Sequence, residues 1–582
     1  MDLETQRYLN EQAEKAAVLW TAAYDPQVVR NFQEEPRTLR ECIAANLTGE
    51  NAVKPLIRYW DVVVSRGEVN EQACRFGNAL LDAGMRKGQR MSIVMANRPE
   101  IVVSFTTCYK TGFVAAAYNQ RCTRAEIAQS VSGVCSSTLV LEKATVAKVM
   151  PSIQAGELPS LKLVVVVDWD GESALYTPEE RASFIHDGED IEDCELTAPG
   201  MPRFVGWEGF LAAGSSDEPD VDVQLDDPAI LLFTGGTTGV PKGCCQTQGR
   251  MARELRLMHH WCESALADDD PSFLVCMPMT HIMGINYGIN WQLVNGGSVC
   301  LAEGSRPRQM IEAFKQFRPT VWAALPTLLH SMSLEPDLTE TPYKDLDLVV
   351  FGGSFIAKET LDTMRKATNA SFVESYGMSE SFGFVTCNPV QSMGKVGSIG
   401  LPISDTDVLV VDAETGTRVC EPGERGEIIF RGPQTLREYW YNPAETEHAI
   451  RSGWVFSGDI GFADQDGFLY LVDRKKDTIV VSGFNVFPAE IDHMLMSHPA
   501  VIDACTVGVP DAHSGERPKS YVVLAADADV SPEELIAYCK EYLVAYKAPK
   551  YVEAIDAIPR TRNRKPDRNL LRERARQEFE KR

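Results

Sequence analysis

The densest concentration of potential chemistry in this sequence is the run Thr234-Gly235-Gly236-Thr237-Thr238-Gly239-Val240-Pro241-Lys242-Gly243, which follows the apolar stretch Ile230-Leu231-Leu232-Phe233. Four glycines, three hydroxyls and one lysine fall within ten residues. Glycines let a backbone approach a ligand closely, and successive exposed N–H groups form a concavity for anions. With the hydroxyls and Lys242 they supply what a polyphosphate requires. The order is not the Walker GxxxxGK[ST], because Lys242 is followed by Gly243 and Cys244. Nor is it the GxGxxG of a dinucleotide fold. Read alone, a loop of this composition can also be a plain turn.

The elements around this loop alternate. Residues 71–86 read as an amphipathic helix, 91–95 as a short apolar strand, 100–112 as a helix and 161–167 as a buried strand. Strand–helix alternation of this kind predicts an α/β fold with a mostly parallel sheet. Between Asp168 and Asp227 there are 18 Asp or Glu, two Arg and no Lys, which predicts a solvated surface insertion. The core pattern resumes at Ala229 and runs to about Asp473. A second unit of roughly 105 residues, a size suited to a small α+β domain, follows with strands at 478–481, 504–509 and 521–525 and helices at 488–496 and 531–542. The last helix opens with Ser531-Pro532-Glu533-Glu534, an N-cap serine, a first-turn proline and early acids.

At TGGTTGVPKG the chain resembles the adenylate-forming superfamily of acyl-CoA synthetases, luciferases and peptide-synthetase adenylation domains, and further blocks recur in that order over roughly residues 60–570. The resemblance implies that residues Thr234 to Gly239 and Lys242 hold phosphate. It places His281, in Met277-Pro278-Met279-Thr280-His281, as a gate beside the acyl pocket. It assigns Gly353 and Ser354, after the strand Val349-Val350-Phe351, to the adenine slot. In Glu374-Ser375-Tyr376-Gly377-Met378-Ser379-Glu380 it implies that Tyr376 stacks on adenine, Ser379 donates to the α-phosphate and Glu380 meets Mg²⁺. A lone carboxylate fits that ion, which is commonly held by one or two carboxylates plus substrate phosphates. Asp459 would accept from both ribose hydroxyls, as an acceptor-only carboxylate can, with Arg474 assisting. Gly483 would line the passage of the coenzyme A arm. Lys476 falls on the hinge and Lys565 on the catalytic lysine, flanked by Arg564 and Pro566 where glycine is usual before the lysine. The pocket candidates are His281, Met283, Gly284, Ala323, Gly352, Phe382 and Phe384, the two phenylalanines narrowing it towards short or aromatic acids.

The implied architecture is a large N-terminal domain of α/β subdomains with a β-barrel (residues 1–474), a hinge (475–476) and a small mobile C-terminal α+β domain (477–582). The implied activity is formation of an acyl-adenylate from ATP and a carboxylic acid, then of a coenzyme A thioester. Two alternatives remain: an enzyme loading a carrier protein, and a non-catalytic nucleotide-binding homologue. No carrier domain follows Lys565, which favours coenzyme A. A formal charge of −25 argues against nucleic acid as partner. Fifteen cysteines without a CxxC pair, no apolar run of membrane-spanning length and no basic leader predict a reduced, cytoplasmic protein.

Overall fold

The computed structural model describes residues 1–169, 200–233, 242–302, 304–338, 343–353, 356–392, 394–482, 484–511, 513–526, 528–561 and 565–579. Two large sheets form the centre. One has nine strands, in the order Leu401–Pro402, Thr386–Cys387, Ser371–Tyr376, Leu348–Gly352, Val321–Ala324, Ser272–Val275, Ser298–Leu301, Pro55–Tyr59, Val62–Ser65. Its middle strands pair in parallel. The other has eight, in the order Glu438–Tyr439, Gly243–Thr247, Pro228–Phe233, Val114–Tyr118, Arg90–Val94, Thr138–Glu142, Leu163–Val167, Arg203–Gly206. Strands buried on both faces read as unbroken apolar runs. Leu163–Val167 and Leu348–Gly352 are of this kind, with every residue buried.

The expected barrel component is a five-stranded antiparallel sheet containing Asp407–Val411, Gly426–Arg431, Trp454–Ala463 and Leu469–Arg474. The N-terminal helix Leu3–Ala22 covers it, burying Leu9 and Ala13 against Leu409, Val411, Ile429 and Trp454. The chain then passes through a single 3₁₀ turn, Lys475–Asp477, into a fourth sheet. There Val501–Asp511 and Gly515–Leu524 form a long hairpin, packed by the helices Pro488–Met496 and Arg568–Phe579. Helix Pro532–Tyr542 starts as predicted, with Ser531 and Glu534 forming a reciprocal capping box.

The described part of the acidic segment, residues 200–227, departs from expectation, and residues 170–199 lie outside the described residues. Within 168–227, Arg203–Gly206 adds an edge strand beside Leu163–Val167, and helix Trp207–Ala213 buries Trp207, Phe210 and Leu211. Glu218 reaches the buried ammonium of Lys110. A buried amine needs a counter-charge, so at least one acid here is structural. The apolar side chains carry the segment into the fold, and a charge tally does not register them.

Candidate active site

Asp459 lies on Trp454–Ala463, directly opposite Arg474 in the antiparallel register. The residue is 3% exposed and its carboxylate is doubly engaged. Arg474 Nε is 2.7 Å from Oδ1, and the Tyr376 hydroxyl donates to Oδ2 at 2.7 Å. Tyr376 ends the strand Ser371–Tyr376 of the nine-stranded sheet, so one carboxylate ties that sheet to the antiparallel one. A hydrogen bond to an ionised group is about twice as strong as a neutral one, which favours this link as a fixed point. Burial, with the Asp459 charge beside it, pushes the Tyr376 phenol far above its ordinary value.

The chain turns sharply after Tyr376. A Cβ on Gly377 would stand 1.9 Å from the Gly383 carbonyl oxygen, so only glycine fits. The turn brings round Ser379, partly exposed, and Glu380, buried. The Tyr439 hydroxyl donates to Glu380 Oε1 at 2.6 Å. Tyr439 belongs to the edge of the eight-stranded sheet, paired with Cys244 just beyond the glycine-rich run. Lys242 Nζ is 2.6 Å from Glu445 and faces the Tyr439 ring at 5.3 Å. Lys242 thus stands near Glu380 but is held by Glu445. Gly353 takes φ +85° with nothing within 4 Å of a Cβ position, leaving open space beside the adjoining backbone. Ser375 Oγ donates back to Phe351 O at 3.4 Å, and Glu374 sits partly buried on the same strand.

Lys565 arrives from the C-terminal domain. Thr561 N donates to Lys565 O at 2.7 Å and Asp567 N to Pro559 O at 2.8 Å, closing a hairpin that presents the lysine. Its side chain is exposed, yet protein crowds its ammonium. That desolvation, then the field of Arg474, holds its pKa below the ordinary lysine value, Asp459 opposing and Lys476 adding. His281 is partly exposed, and burial of its ring with the nearby Lys565 charge lowers its pKa to about 4. It is therefore neutral near pH 7, and its Nδ1 accepts from Met283 N at 3.4 Å, capping the short helix Ile282–Ile285.

The structure brings together Tyr376, Asp459, Arg474, Lys565, Lys476 and His281, with Glu380 on the adjoining turn. Residues Thr234 to Gly239, Ser354, Gly483 and Arg564 lie outside the described residues. Sequence reasoning missed Tyr439, whose single tyrosine in an edge strand carries no local signal. The donor set suits a nucleotide: a buried carboxylate acceptor, a guanidinium and an ammonium converge. Among the described residues no cluster of three His, Cys, Asp or Glu is gathered. The carboxylate of Glu380, a hard oxygen donor, suits an ion that phosphates also hold.

Fold and site together define a nucleotide-binding enzyme of two domains. The chain belongs to the AMP-binding enzyme family, which matches residues 50–440, with the family's C-terminal domain matching 490–565. It is 31% identical to a long-chain-fatty-acid–CoA ligase of Yersinia pestis over 540 residues, covering 90% of this chain and 93% of the relative. It is 28% identical to a feruloyl-CoA synthase of Amycolatopsis over 506 residues, covering 87% and 92%. Its fold matches that of an anthranilate CoA ligase in complex with anthranoyl-AMP, with TM-score 0.80, 21% identity and coverage of 93% and 98%.

Proposed function

We propose that this protein is an AMP-forming carboxylic acid–CoA ligase. The observation that carries the reading is that Lys565, from the C-terminal domain, lies beside the Tyr376–Asp459–Arg474 cluster, which itself joins two sheets. The kinship with acid–CoA ligases supports it.

The substrate carboxylate attacks the α-phosphorus of ATP, an acyl–phosphate bond forms as the bond to pyrophosphate breaks, and pyrophosphate leaves. Asp459 accepts from the ribose hydroxyls, Tyr376 packs beside the base, and Ser379 donates to the α-phosphate. Residues Thr234 to Gly239 and Lys242 hold the departing phosphates. Lys565 stabilises charge shared between carboxylate and phosphate, so this step is positioning plus electrostatics. A magnesium ion held with Glu380 supplies neutralisation of the phosphates when bound. In the second step the coenzyme A thiol attacks the adenylate carbonyl, losing its proton, and AMP leaves. Lys565 must withdraw for this. We assign the boundaries 1–474, 475–476 and 477–582, rotation at Lys476, and passage of the thiol arm beside Gly483. We place the protein in the cytoplasm; no helix among the described residues is long and apolar enough to cross a membrane.

The deciding experiment is acid-dependent ATP–pyrophosphate exchange, followed by AMP release on adding coenzyme A. Exchange with at least one acid, and thioester formed only with coenzyme A, is the expected result. No exchange with fatty, aryl or short acids would leave a non-catalytic nucleotide binder; exchange without thioester would leave a carrier-loading enzyme.

A further inference from the structure

The antiparallel sheet that carries Asp459 is irregular at one place. Glu427 stands opposite Ile460 and Ile429 opposite Phe456, so Ile428 alone faces three residues, Ser457, Gly458 and Asp459. Surplus residues of this kind bend a strand and re-aim a side chain. Here they form an arch, with Gly458 at φ +70° and Asp459 as its last member. Ser457 Oγ donates to Ile428 O at 2.5 Å, and Asp459 N donates to Ser457 Oγ at 3.0 Å. A carboxylate holds the crown of the arch: Gly458 N donates to Glu427 Oε1 at 3.0 Å.

The other oxygen of that carboxylate reaches elsewhere. Glu427 Oε2 lies 2.8 Å from Lys475 Nζ, with Glu427 buried and Lys475 exposed. Neither contact belongs to the strand ladder, since Gly458 is bulged out of it and Lys475 lies past its end. A buried carboxylate must be matched by donors or by opposite charge, and Glu427 is matched on both oxygens. One side chain therefore ties the arch that sets Asp459 to the first residue of the turn Lys475–Asp477. The last residue of that turn is tied in the opposite direction. Arg572 Nη2, on the C-terminal helix Arg568–Phe579, is 2.9 Å from Asp477 Oδ1. The two ends of a three-residue turn are thus fastened to different domains, with Lys476 between them.

We infer that Glu427 is a positioning residue that makes the arch around Asp459 and the large-domain end of the turn one rigid piece, so that rotation of the small domain is confined to Lys476. The inference rests on the reading that Asp459 holds the ribose and that the small domain swings between two half-reactions. The two oxygens divide the work. Oε1 sets the arch, and through it nucleotide affinity. Oε2 fixes where rotation begins, and through it the thiol step. Glu427 acts through Asp459 and Lys475 and takes no part in bond making.

The test separates the two oxygens. The proteins are the wild type, Glu427→Gln, Lys475→Met, Lys475→Arg, the double variant Glu427→Gln with Lys475→Met, and Glu427→Ala. With an acid that the wild type activates, two quantities are measured: the KM for ATP in pyrophosphate exchange, and the rate of thioester formation from preformed acyl-adenylate. Glu427→Gln keeps a carbonyl oxygen for Gly458 N and turns an uncharged amide towards Lys475. It should leave the KM for ATP unchanged and slow thioester formation about five- to tenfold, between the values for an exposed ion pair and for a charge-assisted hydrogen bond. Lys475→Met should match it, and Lys475→Arg should restore most of the rate. The double variant should be no slower than either single one, because both remove the same contact. Glu427→Ala should in addition raise the KM for ATP about tenfold, since Gly458 N loses its acceptor. If Glu427→Ala does not fold, the Gln and Met variants carry the test. Equal losses in both half-reactions for Glu427→Gln, an unmoved thioester rate, or additive effects of the two single substitutions would overturn the inference and leave Glu427 a structural residue of the sheet. Those results in a protein whose wild type performs both half-reactions would sink this inference alone; no pyrophosphate exchange by the wild type with fatty, aryl or short acids would sink the ligase reading with it.

Discussion

The two halves of the reaction centre are built in opposite ways. Asp459 is 3% exposed and bonded on both oxygens, to Tyr376 and Arg474, by strands of two sheets in the large domain. Lys565 is exposed and reaches the same place on a hairpin of the small domain, where the charges of Arg474, Asp459 and Lys476 act on it. Paired charges join the two domains. Arg425 pairs with Glu490 and stacks over Phe487 at 5.0 Å, and Lys475 reaches Glu427 at 2.8 Å. On the proposed reading the nucleotide side is preassembled and the cation is delivered, which is what a two-step reaction needs if the cation must leave between steps.

That contrast can be broken at its most sensitive point. Lys565→Ala should lower adenylation by roughly 10²- to 10³-fold, the cost of one preorganised transition-state donor. Thioester formation from preformed acyl-adenylate should be spared. Equal losses in both half-reactions, measured by pyrophosphate exchange and by thioester release, would place Lys565 in a general rather than a delivered role.

Lys476→Pro tests delivery from the other side. Proline fixes φ near −65° and restricts its predecessor. Pyrophosphate should still be released in a single burst, while thioester formation falls on the order of 10²-fold through misplacement of the small domain. Proportional loss of both steps, with an altered circular dichroism spectrum, would mean local unfolding rather than a blocked rotation.

Glu380→Gln sharpens the preassembled side. The amide oxygen of the variant can still accept from Tyr439, so the turn should persist, but the charge is gone. The magnesium concentration giving half-maximal rate should rise about tenfold, in line with loss of a charge-assisted contact. An unchanged requirement, measured by titration at saturating ATP, would make Glu380 a structural link between sheets.

The smallest effect concerns stability. Burial raises the Glu374 carboxyl from 4.5 to about 7. The folded chain therefore holds this proton more tightly than the unfolded one. The group's contribution to stability is intact below the unfolded value and is lost as pH rises through about 7. Glu374→Gln removes that loss. The variant should gain about 2 kcal/mol above pH ~8, less than the shift alone implies because the side chain is only partly buried, and nothing near pH ~4. Denaturant midpoints at the two pH values check it; an equal gain at both would exclude titration as the cause.

What was legible in the sequence follows from how local each signal is. The helix Pro488–Met496 has the predicted ends because a first-turn proline marks its start. The strand Leu163–Val167 was readable because burial on both faces leaves an unbroken apolar run. The convergence of Asp459 and Lys565, 106 positions apart in sequence, was reached only through family blocks, since no local pattern couples them. Tyr439 was missed for the same reason: it acquires its partner, Glu380, through packing of remote elements.

Arg474 is the last residue of its strand, and Lys475 begins the turn that leads into the small domain. The guanidinium that grips Asp459 thus sits at the root of the proposed hinge, where the lever arm is shortest. A small change of angle there becomes a long arc at the Lys565 hairpin. On the proposed reading, departure of a phosphate group or arrival of a ribose hydroxyl would be felt beside the fulcrum, by the contact that holds the nucleotide.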